Sequence, residues 1–301
     1  MIGSYRHFDA EVPGEAGGAG GECFVHRTQN MVCVYLRGPA GAKFTRAANP
    51  DEYFAWVLRT PVVVDSSGDS VEITPGSLVI VPPGASAIRL AAAGEVWLGF
   101  TALADDLLEL APNADEYKTP LDNVAPIEPW PSPPDGYRVR VYDLDALGPD
   151  QPKCFRHATA MTNFQWPIPT RPRDPRGLSP HTHPDFEQAS LIHSGTMVHH
   201  LRRAWGRDAT AWLDDEHVKL VAPALAISKP PDLHTTQAVS DDGPVGLVDF
   251  FSPPRWDFSH VAGMVVNAEE YPMPNVPPPS YARDAASSYA PDDPRRGVEG
   301  R

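Results

Sequence analysis

Apolar residues in this chain come in short runs rather than long helical stripes. In the first hundred residues they occupy 31–36, 53–58, 61–64, 71–73, 77–81, 87–90 and 96–100. The runs are rich in Val and Ile and are punctuated by Ser67-Gly68, Pro75-Gly76 and Pro82-Pro83-Gly84. That pattern predicts the strands of an all-β sandwich or barrel. It resumes at 137–142 and 154–160, and continues through 188–192, 196–201, 210–212, 217–220, 225–228, 235–239 and 245–251. Only 102–111 (ALADDLLELA) carries a helical pattern.

A proline-rich stretch separates the two series. The chain holds 35 prolines in 301 residues, which excludes long helices over most of its length. Four segments follow from this: a first unit over 1–111, a connector over 112–136, a second unit over 137–267 and a proline-rich tail over 268–301. The two units look like copies of one design. Asp51-Glu52 precedes an apolar strand in the first, and Asp185-Phe186-Glu187 precedes one in the second. Later in each unit, the strands 78–81 and 225–228 run into Pro82-Pro83-Gly84 and Pro230-Pro231-Asp232.

Charge narrows the partners. The net charge of −14 disfavours nucleic acid and anionic membranes, both of which reward Lys and Arg. No apolar stretch reaches the ~18 residues of a membrane helix. The N-terminus lacks the apolar core of a signal peptide, and the three scattered cysteines form no metal or redox spacing. The expectation is a cytoplasmic protein with a small-molecule substrate and a possible homodimeric state.

The chemistry concentrates around His181-Thr182-His183. Side chains two apart on a strand share a face, so the two imidazoles stand together. Glu187 keeps the same parity, and His234 can arrive from a neighbouring strand. Neutral nitrogens with one carboxylate suit a first-row divalent metal.

The motif His181-x-His183-x3-Glu187-x7-Gly195 resembles the first motif of the cupin family. Pro230-Pro231-Asp232-Leu233-His234 resembles the second, although Lys229 and Pro231 stand where the family has Pro and Gly. The resemblance covers roughly 25–100 and 135–265. It implies two double-stranded β-helix barrels with short helices, and one divalent metal held by His181, His183, Glu187 and His234. Fe(II) is favoured, with Mn(II), Ni(II), Cu(II) or Zn(II) as alternatives. In the first unit the corresponding positions fall at Arg46, Ala48, Glu52 and Ala87, so only a carboxylate remains.

Further candidates lie around this motif. His217 and Glu216 are candidate acid/base groups. Arg173, Arg176, Gln165, Trp212, Gln237 and Arg255 are candidate substrate contacts, the arginines as clamps for an anion. Three His and one Glu leave about two open positions on an octahedral ion. The leading expectation is a non-haem dioxygenase acting on a small oxygenated or aromatic compound. The alternatives are a redox-neutral isomerase, lyase or decarboxylase, and a non-catalytic metabolite-binding protein.

Overall fold

The structure is a computed structural model describing residues 2–11, 13, 18–148, 151–165, 168–241 and 243–279. The part of the tail beyond 279 lies outside the described residues. In chain order, the first half contributes β1 (Ser4–His7), β2 (Gly18–Ala19), β3 (Glu22–Arg27), β4 (Met31–Gly38), β5 (Lys43–Asn49) and β6 (Tyr53–Val57). It continues with β7 (Val62–Ser66), β8 (Asp69–Ile73), β9 (Ser77–Val81), β10 (Gly84–Leu90) and β11 (Gly94–Thr101). The second half contributes β12 (Arg140–Asp143), β13 (Cys154–Arg156), β14 (Met161–Phe164), β15 (Gln188–Ser194) and β16 (Thr196–Arg202). It ends with β17 (Glu216–Val221), β18 (Ala224–Ser228), β19 (Leu233–Ala238) and β20 (Gly246–Phe251).

These strands build two barrels, each made of two sheets. The first has the orders β2-β5-β10-β7-β8 and β12-β9-β6-β11-β4-β3; the second has β1-β18-β15-β20-β14-β13 and β17-β16-β19. The barrels exchange strands. β1 precedes the first barrel but pairs with β18 of the second, and β12 follows the linker but pairs with β9 of the first. Cuts at 111 and 137 therefore do not separate the sheets. The connector is packed: Tyr117, Val124 and Trp130 are buried in it.

Two local expectations change. The helix read over 102–111 keeps its buried face, with Ala104, Leu107 and Ala111 in the first barrel's core, but only Asp105–Leu108 is α-helical. No side chain caps its start, and Pro112 bars its extension. The strand expected at 210–212 is a 3-10 turn over Ala209–Ala211, because the Asp208 carboxylate accepts from the Thr210 backbone N–H and hydroxyl. Among the described residues no helix is long and apolar enough to cross a membrane.

The barrels meet through the outer faces of their sheets. Phe54, Trp56, Ile80 and Trp97 of the first pack with Leu191, Leu225, Ile227 and Phe250 of the second. The opposite faces of the same strands line the barrel interiors, with Ala55, Val79 and Leu98 in one and Ile192 and Ala226 in the other. Double burial explains why β6, β9 and β18 lack the polar alternation of solvent-facing strands. Trp56 Nε1 donates to Thr162 Oγ1 across the seam at 3.1 Å. Gly99 makes room for that indole, since a Cβ there would lie 2.2 Å from the Trp56 ring.

Glu52, immediately before β6, turns out of its barrel toward this seam and is fully buried. One of its oxygens accepts from the Tyr271 hydroxyl at 2.7 Å and lies 3.9 Å from the Arg140 guanidinium; the other has no partner. Burial pushes its pKa up from 4.5 to about 7, against the opposing pull of the Tyr271 hydrogen bond. A carboxyl that holds its proton more tightly when folded stabilises the fold fully below its unfolded pKa. That contribution is lost as pH rises through the folded value. Stability should therefore fall between pH 4.5 and about 7, by up to roughly 3 kcal/mol from this group. Glu52→Gln should flatten that limb in urea denaturation series; an unchanged slope would contradict the assignment.

Candidate metal centre

The three histidines come together through backbone pairing. His181 N donates to His234 O at 3.0 Å and His234 N returns the bond to His181 O at 2.9 Å, an isolated antiparallel bridge. The Thr182 hydroxyl donates to Pro231 O at 2.6 Å and ties the same two segments again. The His181–His183, His181–His234 and His183–His234 ring centroids are 5.0, 4.5 and 5.0 Å apart. One ring nitrogen from each lies within 4.8 Å of those of the others.

Their hydrogen bonds aim them inward. His181 Nδ1 lies 2.9 Å from Ser179 O and His234 Nδ1 lies 3.3 Å from Asp232 O. Nδ1–H donation to a carbonyl leaves the Nε2 lone pair for the cluster. His234 Nε2 is buried with no partner. Burial, first of all, and the neighbouring positive charges push His183 and His234 well below the usual imidazole range. Three converging imidazoles, two of them buried and unprotonated and one with an unsatisfied nitrogen, are the donor set a divalent transition metal requires, so the residues fit such an ion.

Glu187 does not join them. Its carboxylate accepts from Gln29 N at 2.6 Å and from the Tyr117 hydroxyl at 2.9 Å, on the outer side of the strand. The expectation that its parity with His183 would carry it inward fails because β15 begins only at Gln188, and the intervening 184–187 is not strand. Gln188 faces the histidines instead, its Oε1 2.9 Å from His183 Nε2. Behind it, Gln188 Nε2 donates to Ser190 Oγ and Asp249 Oδ1, both at 3.0 Å, and Ser190 Oγ donates to Asp249 Oδ1 at 2.6 Å. Burial raises Asp249 to about 6, with the Ser190 and Gln188 bonds working the other way. His199 completes this polar wall. It is wholly buried between Thr236 Oγ1 and Ser228 Oγ, its ring 5.8 Å from that of His234.

No protein-family model matches this chain, and no curated protein matches it significantly. Solved structures do. Bacillus subtilis oxalate decarboxylase superposes with a TM-score of 0.55 at 15% identity, covering 84% of this chain and 78% of that one. Protein Ylba from E. coli gives a TM-score of 0.52 at 12% identity, covering 84% of this chain and 92% of that one. The fold is that of the cupins. The likeness at these identities extends to the fold and no further.

Within this cupin fold, most of the other candidates fall away from the histidines. His217 and Gln237 lie on the outer face of the β17-β16-β19 sheet, where His200 contacts His217 Nδ1 at 2.8 Å and Gln237 Oε1 at 3.2 Å. Glu216 binds the start of the chain, accepting from the backbone N–H groups of Ile2 and Gly3 and from the Tyr5 hydroxyl. Arg173 clasps its own loop through Gly177 O and Ser179 Oγ. Arg176 is exposed and pairs with Asp174. Arg255 is buried, forked onto Asp257, and stacked 3.5 Å over Phe258, so it has no free face for an anion. Gln165 is exposed, and Trp212 stacks on Trp205 at the surface.

The first barrel's equivalent positions are differently filled. Arg46 points inward and is forked onto Asp106, while Ala48 and Ala87 face outward. Tyr53, the first residue of β6, matches Gln188, the first of β15; its hydroxyl pairs with Ser86 at 3.0 Å within an interior that, apart from Arg46 and its partners, is apolar.

The placement of Glu187 has a consequence for stability. Tyr117→Phe removes a donor from a buried carboxylate and should destabilise the protein by about 1–3 kcal/mol. Metal content per folded chain should be unaffected, as read by elemental analysis; its loss would return Glu187 to the metal.

Proposed function

We propose that this chain is a metal-dependent cupin enzyme that acts, without net redox change, on a small chelating oxyanion such as a carboxylate or hydroxy acid. His181, His183 and His234 would hold one divalent ion. The observation that carries this reading is the donor set: three imidazoles converge, burial keeps His183 and His234 unprotonated, and among the described residues no carboxylate oxygen completes the cluster. A divalent ion on neutral donors keeps its full charge and supplies Lewis-acid stabilisation of a developing oxyanion. The solved oxalate decarboxylase is a relative in fold whose activity is compatible with this class, and its Mn(II) centres make Mn(II) as apt a candidate as Fe(II).

The rest of the barrel has separable tasks. Phe186 and Phe251 pack beside His183 and shield that side from water. Ile192, Met197, Leu220 and Ala226 form an apolar floor. His199, tied to two hydroxyls and pushed down by burial to about 3, stays neutral and fixes the direction of the wall next to His234.

A dioxygenase would use the same histidines, so oxygen dependence decides between the two. Protein loaded separately with Mn(II) and Fe(II) should be offered a panel of dicarboxylic, hydroxy and sugar acids, catechols and 1,3-diketones, in air and under strict anaerobiosis. The expected result is turnover of an acid at an undiminished rate without O₂. Stoichiometric O₂ uptake with a catechol or diketone, and no anaerobic turnover of any acid, would overturn the proposal.

A further inference from the structure

We propose that the fourth protein donor to the metal is the side-chain amide oxygen of Gln188, held in the ligating orientation by Asp249 and Ser190. This rests on the metal reading given above and adds to it a residue and a positioning device.

The first support is distance. Gln188 Oε1 lies 2.9 Å from His183 Nε2. Two donors at about 2.1 Å from one ion, at right angles, stand about 3 Å apart. The second support is chemical. An amide presents an acceptor on one side and donors on the other. The Gln188 NH₂ group faces the Asp249 carboxylate and the Ser190 hydroxyl, each at 3.0 Å. Turning the amide over would set its oxygen against the carboxylate, so Asp249 fixes the oxygen toward the histidines.

The third support is strand geometry. Glu187 ends the non-strand segment that enters β15, and Gln188 is the first strand residue, on the interior face with Ser190 and Ile192. Placing Glu187 at the inward strand position that Gln188 holds would require a one-residue slip of β15. That slip would turn Ala189 and Leu191 out of the apolar seam and Ser190 into it. Glu187 is also committed to Gln29 and Tyr117. The first barrel agrees: Glu52 points to the seam just as Glu187 does, and the inward position holds Tyr53.

Four neutral donors leave the ion with a charge of +2, which favours an anionic, bidentate substrate in the remaining positions. Asp249 returns negative charge from one residue behind, without occupying a coordination position.

The test is Mn(II) affinity, measured by competition with a chromogenic chelator and by the Mn(II) electron paramagnetic resonance signal, on full-length protein with circular dichroism as the folding check. Gln188→Ala should bind Mn(II) at least about tenfold more weakly. Asp249→Asn places an amide against an amide and should weaken binding by a similar factor. The double variant Gln188→Glu with Asp249→Asn exchanges the donor and acceptor roles, keeps the shapes, and should restore binding. Glu187→Gln should bind as the wild type does. Wild-type affinity in Gln188→Ala, with loss in Glu187→Gln, would overturn the inference while leaving the three-histidine reading intact. A failure of the double variant to recover over folded Asp249→Asn would remove Asp249 from the positioning role. A wild-type protein that binds no Mn(II), Fe(II) or other first-row divalent ion would overturn both readings.

Discussion

The architecture depends on one constraint: the sheets between the two barrels are buried on both faces. β6, β9 and β11 of the first barrel press their outer side chains against those of β15, β18 and β20 of the second. Each of these strands must satisfy a barrel interior and a seam at once. Moving any of them by a single residue would exchange the two sets of side chains. The register of the seam therefore dictates which residues look into each barrel.

The two barrels use the same frame to opposite ends. Inward from β6 point Tyr53, Ala55 and Val57, and the first interior is packed with apolar side chains. Inward from β15 point Gln188, Ser190 and Ile192, so the second interior is polar near the histidines and apolar only at its floor. A buried polar wall is tolerable only when its groups are paired. Here His199, Ser228, Thr236, Ser190, Asp249 and Gln188 pair among themselves. The unpartnered His234 Nε2 is the exception, and it points to what the wall was built around.

Much of this was legible in the sequence. Short Val- and Ile-rich runs announced the strands, the repeated Asp-Glu and Pro-Pro signatures announced the duplication, and His181, His183 and His234 announced the cluster. Glu187 was misleading for a physical reason. Its parity with the histidines counts only if the chain from 183 to 187 is a strand, and it is not. The better signal was the alternation beginning at Gln188, where polar Gln188 and Ser190 interleave with apolar Ala189 and Leu191. The likeness of Glu52 to Glu187 looked like a remnant ligand, yet both carboxylates serve the seam. Strand exchange by β1 and β12 was hidden because local patterning does not record which sheet a strand joins. His217 and Gln237 lay on candidate strands, but which face each presents depends on a sheet orientation that periodicity alone leaves open.

In the function proposed above, one metal ion sits at the three histidines in the polar interior of the second barrel. Anomalous X-ray scattering from crystals grown with Mn(II) tests it most directly. One peak per chain is expected, bonded by His181, His183 and His234 with Gln188 as the adjoining side chain. A peak bonded by Glu187, or one inside the first barrel beside Tyr53 and Arg46, would contradict it.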